Sequence, residues 1–108
     1  MMVIYSNLLP VKGFRAINLF GIVFVRKEYA QPDERMLNHE SIHTRQMLEL
    51  FILGFYLWYV VEWLVNLIRY KNRYLAYRNI GFEREAYDND ADLHYLKQRR
   101  GYAFKKYL

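Results

Sequence analysis

The sequence predicts an α+β domain that is mainly α: a short N-terminal β-hairpin, then a helix carrying the candidate active site, an apolar central helix and a glutamate-bearing helix. Three observations predict this order. β-branched and aromatic residues gather around a glycine in residues 14–27, as strands require. Pro32 is the last proline, so nothing after it forbids helix. A nearly unbroken apolar run then occupies residues 50–68. At 108 residues the chain has room for one hydrophobic core and not for two, so residues 1–108 are read as a single domain.

Residues 14–27 read as two short strands that meet near Asn18 to Gly21, or as one bent strand. Gln31-Pro32-Asp33-Glu34 supplies a proline suited to a first turn, a capping carboxylate and early negative charge, so the first helix should run from about Asp33 to about Phe51. Gly54 is the expected place for a break or turn. The stretch from Leu50 to Ile68 reads as a buried central helix wetted at Glu62. Its near-span length, its Trp and Tyr content and the basic residues Arg69, Lys71 and Arg73 make membrane association the alternative. A basic connector leads to Gly81, and a last helix is expected from about Phe82 to Gln98, closed by Gly101. Met36 and Met47 read as core filling, and the basic and aromatic tail from Lys97 to Lys106 as a solvated end.

Composition limits the functions. With 54% hydrophobic and 19% aromatic residues the chain has ample surface to bury and is not a disordered segment. It has no cysteine, which excludes disulfides and cysteine-based zinc sites and leaves any metal to His, Asp and Glu. The net charge of +5 suits a weak attraction to anionic lipid or acidic substrates, but there is no dense basic stripe, so nucleic acid is not an expected partner. The first residues lack a basic region and a cleavage site of the signal-peptide kind, which points to a cytoplasmic or membrane-associated protein.

His39-Glu40-Ser41-Ile42-His43 matches H-E-x-x-H and falls on the first expected helix. Side chains four residues apart project side by side, so both imidazoles can reach one tetrahedral Zn²⁺. Glu40 follows the first ligand and faces the same cleft, where it can take a proton from a metal-polarised water and pass it to a leaving amine. A third ligand must come from elsewhere, and the last helix offers Glu83 and Glu85.

H-E-x-x-H followed about 40 residues later by Glu-x-Glu-Ala on a second helix resembles the gluzincin clan of zinc metallopeptidases. The chain is most similar to the minigluzincins and to membrane peptidases related to CAAX prenyl proteases and the heat-shock membrane protease, over roughly residues 14–98. The resemblance implies a Zn²⁺ cofactor held by His39, His43 and Glu83, and hydrolysis of a peptide or protein substrate with Glu40 as general base. In the family pattern an Asp one turn after the ligand glutamate orients a histidine, and Tyr87 stands there instead. Either the Tyr87 phenol takes over a polar role, bonding a ligand or polarising the substrate carbonyl, or the ligand is Glu85 with Asn89 as its orienting partner. His94 lies on the same side of the expected last helix as Glu83, Tyr87 and Asp90, and is a second candidate, with Tyr87, for a hydrogen bond to the transition state. The alternative from another class is a catalytically silent domain that keeps the gluzincin frame as a binding or membrane-associated module.

Overall fold

A computed structural model describes residues 2–8, 16–27 and 34–108. The expected α+β, mainly α architecture is observed, and the sheet has a third strand beside the hairpin: β1 (Met2–Ser6), β2 (Ala16–Leu19) and β3 (Ile22–Arg26). Helices α1 (Glu34–Glu49), α2 (Leu53–Tyr70), α3 (Arg73–Arg78), α4 (Gly81–Asn89) and α5 (Tyr95–Gln98) follow, and a 3₁₀ segment, Ala103–Tyr107, ends the chain. The expected start of the first helix at Asp33 lies outside the described residues.

The strand order is β1-β3-β2. β2 and β3 form the expected antiparallel hairpin, Ala16 opposite Val25 and Leu19 opposite Ile22, around a two-residue turn in which Phe20 and Gly21 both have positive φ, 56° and 89°. That turn matches the right-handed twist of its strands, and glycine takes its second position without cost. Phe20 is held there by tertiary bonds: its N–H donates to the Tyr56 hydroxyl at 2.9 Å and its ring lies against Tyr56. β1 pairs parallel to the other side of β3, so β2 remains an edge strand. Val23 and Val25, alternating along β3, are fully buried.

α1 and α2 meet at 110°. The break falls at Phe51 and Ile52, both at positive φ, two residues before the expected Gly54. Gly54 instead sits in the first turn of α2, where a Cβ would lie 3.4 Å from that of Leu50, at the near limit of ordinary contact. Met47, Phe55, Ile80, Phe82 and Phe104 form the core under this elbow.

Several sequence expectations are corrected. α2 is not a buried helix: Phe55 and Asn66 are its buried residues, and most of its aliphatic side chains face out. The other elements pack on one side of it only. Glu62 is half-buried, and its carboxylate accepts the Gly81 N–H at the start of α4. The last helix is not continuous. It ends at Asn89, because the Asn38 amide, reaching over from α1, donates to the carbonyls of Asp90 and Asp92 at 2.9 Å each and draws the chain off the helical path. The tail is not a solvated end either, since Phe104 is fully buried against Phe82 and Trp58. The basic connector contains α3, capped at its start by Asn72, whose side chain accepts the Leu75 N–H.

Candidate metal centre

α1 places His39 and His43 one turn apart on its buried face, and α4 crosses that face with Glu83 in its first turn. Glu83 Oε1 lies 3.2 Å from His39 Nε2 and 3.0 Å from His43 Nε2, and the two Nε2 atoms are 3.2 Å apart. Ligand atoms ~2.0–2.1 Å from a tetrahedral zinc sit roughly 3.3–3.4 Å from one another. The triangle is therefore already within a few tenths of an ångström of the size a cation needs. The three residues are buried and form a group able to hold a metal ion.

The remaining polar atoms of the group are committed in ways that aim these three. The Gln46 amide nitrogen donates to the Phe82 carbonyl and to Glu85, both acceptors, so its oxygen must face His43 Nδ1, 2.8 Å away. In its neutral form His43 then carries its proton on Nδ1, which turns a bare Nε2 toward the shared centre. His39 Nδ1 does the same toward the Asp90 carboxylate at 2.9 Å, whose other oxygen takes a 2.6 Å bond from Arg35. The Tyr59 hydroxyl donates to Glu83 Oε2 at 2.7 Å, which leaves Oε1 for the imidazoles.

Charge follows this geometry. Burial penalises a charged His43, but the Glu83 carboxylate beside it outweighs that penalty and pushes its pKa up to about 9. Glu83 is buried too, yet the two histidines hold its carboxyl below the usual range. Burial pushes Glu40 up, against the pull of His43 and His39 and with a push from Glu83. Burial and the charge of Glu83 raise Tyr59 and Tyr77, which stay protonated.

A cavity of about 400 Å³ opens onto the group. Residues 16–19 of β2 form one wall, the buried face of α1 with Glu40 another, and Phe55, Tyr56, Tyr59 and Tyr77 the rest. Asn18 fixes the strand to the helix: its amide nitrogen donates to the Glu40 carbonyl and to Thr44, each at 2.8 Å. The Tyr56 hydroxyl donates to the Asn18 carbonyl at 3.3 Å, at the turn end of the edge.

Of the residues expected from the sequence, His39, His43, Glu83 and Glu40 are brought together. Glu85 is not: it points to the opposite side of α4, held by Arg99, Tyr95 and Gln46. Tyr87 has no hydrogen bond to the group. Its ring packs edge-on against His39 at 4.6 Å, and its hydroxyl pairs with that of Tyr77 at 2.7 Å. The orienting carboxylate belongs to Asp90, one turn later, at the point where α4 ends. His94 is exposed, and its N–H bonds Asp92 at the start of α5; the helix break carries it away from the cavity. Gln46, Tyr59, Asp90 and Tyr77 were missed. Gln46 was legible in principle, three residues after His43 on the same helical face, and so was Asp90, two turns after Glu83. Nothing local marks Tyr59 or Tyr77. Compared with known proteins, the chain matches no family, no curated protein and no solved structure.

Proposed function

We propose that this chain is a minimal zinc-dependent peptidase of the gluzincin type. The observation that carries the reading is the convergence of His39 Nε2, His43 Nε2 and Glu83 Oε1 to mutual distances of 3.0–3.2 Å beside a cavity that also holds Glu40. Two imidazoles and a carboxylate suit zinc, which with a vacant fourth position supplies Lewis-acid polarisation of water and of a carbonyl oxygen. The resemblance in H-E-x-x-H and Glu-x-Glu-Ala supports the same choice, with Asp90 taking the orienting role that Tyr87 cannot fill.

The chain's own groups divide the remaining work. Glu40, made more basic by burial, takes the proton from the attacking water and delivers it to the leaving amine nitrogen. Among the described residues β2 has a free edge, and it lies on the cavity. With Leu19 and Ile22 closing the two-residue turn, the main-chain groups of Ala16 and Asn18 point away from β3, where an extended peptide can pair with them. Tyr56 occupies the Asn18 carbonyl and so ends that ladder at the turn. Tyr77, a protonated phenol in the cavity wall, is the donor for the developing oxyanion in place of Tyr87 and His94.

The test is metal analysis beside peptide cleavage. The native chain should bind one zinc and cleave a peptide library. Glu40→Gln should keep the zinc and lose about 10²–10⁴-fold in rate, and His43→Ala should lose both. A native chain that holds zinc but cleaves nothing would leave the silent module as the better account. One that takes up no metal at neutral pH would remove the metal centre altogether.

A further inference from the structure

The outward side of α2 has no role in the metal centre. Leu53, Leu57, Val60, Val61, Leu64, Val65 and Ile68 recur at steps of one, three and four residues and so share one helical face. All are exposed, from 49% at Val60, Leu64 and Val65 to 79% at Ile68. At 1.5 Å per residue this aliphatic strip is roughly 22 Å long. Phe51, 90% exposed at the elbow, extends it. No polar or charged side chain interrupts it, which is far from the scattered apolar residues of an ordinary surface.

What borders the strip decides what fits it. Trp58 lies along one edge and is 36% exposed, and Trp63 and Tyr56 lie partly exposed along the other. At the C-terminal end stand Arg69, Lys71 and Arg73, all exposed. The one acidic residue of α2, Glu62, is turned inward onto Gly81. The border is thus aromatic and cationic with no carboxylate of α2 among it. A second copy of this face would bring no acidic partner for those cations, whereas anionic headgroups would, and indole and phenol rings favour the boundary between headgroups and acyl chains.

We infer that α2 docks this chain on the surface of an anionic lipid bilayer, lying along it with the aliphatic strip in the acyl boundary. One side of α2 is available for this, because the other carries Tyr59, Glu62 and Asn66 in bonds to Glu83, Gly81 and Ala76. No single helix among the described residues is long and apolar enough to cross a membrane. A surface-lying helix needs only one apolar face.

The test is flotation of the full chain with vesicles of phosphatidylcholine alone and with phosphatidylglycerol added. The chain should float with the mixed vesicles. Leu57→Glu with Ile68→Glu, both at solvent-facing positions, should lower the bound fraction at least about tenfold while the circular dichroism melt stays unchanged. Arg69→Gln and Arg73→Gln should each cost about fivefold on the anionic vesicles and little on the neutral ones. The inference is overturned if the native chain floats with neither vesicle, or if the double glutamate variant floats as well as the native chain. It is also overturned if the native chain sediments as a dimer that this variant disperses, with neither form touching lipid. None of these outcomes depends on zinc or on cleavage.

Discussion

The Gln46 side-chain amide has one orientation open to it, and His43 inherits its tautomer from that choice. His39 inherits its own from Asp90, which is itself held by Arg35. These two outer bonds cost nothing at the moment a cation binds, because they exist before it arrives. Asp90→Asn keeps the shape but removes the charge that stabilises an imidazole polarised by a metal. It should weaken zinc binding by about 10–100-fold, read by competition with a chelator. Asp88→Asn, which removes an exposed carboxylate from the same helix, should leave that affinity within a few-fold. Equal losses in the two variants would mean that Asp90 acts through the charge of α4 and not through His39.

At the scale of elements, α1 and α4 must cross at a fixed angle for ligands 40 residues apart in sequence to meet. Arg99 holds the far side of that crossing, with its side chain fully buried and bonds to Glu49 at the end of α1 and Glu85 in α4. Removing one partner of a buried pair strands the others. Arg99→Ala should therefore cost about 3–5 kcal/mol in chemical denaturation, while the folded fraction still binds one metal ion. The same crossing explains how much could be read in advance. The pair His39 and His43 was legible because a helix sets that spacing by itself, and the hairpin because its strands and glycine turn are adjacent. The end of α4 was not legible: no glycine or proline marks Asn89 to Asp92, and the break is made by Asn38, some fifty residues earlier. Phe104 in the core and the parallel pairing of β1 depend on partners about twenty residues away. The exposed strip of α2 was misread because a continuous apolar run has the same pattern whether protein or another apolar phase covers it.

Taken as a whole, the molecule closes around a negative and a positive group that attract each other before any metal arrives, and this sets opposite pH trends for the two forms. In the metal-free chain His43 is pushed up from 6.5 to about 9 by Glu83. A raised pKa means that the folded state holds the proton more tightly, so this contribution to stability is complete below about 6.5 and is lost as pH climbs through about 9. Glu40, also raised, adds a decline of its own that sets in above 4.5, because burial disfavours its ionised form. Glu83, held low, contributes above 4.5 and fails only in stronger acid. The metal-free protein should thus be most stable on the mildly acidic side and melt earlier as pH rises from 6.5 to 9. A cation needs the bare Nε2 that this proton covers, so metal affinity should rise over the same interval, by up to about tenfold per pH unit for one displaced proton. At free zinc of about 1,000 times the dissociation constant, binding adds about 4 kcal/mol to the folded state. The melting-temperature gap between zinc-loaded and chelator-treated protein should therefore widen steadily from pH 6.5 to 9. It should vanish at every pH in His43→Ala. A gap that stays constant across the interval would show that no proton leaves His43 when the metal binds.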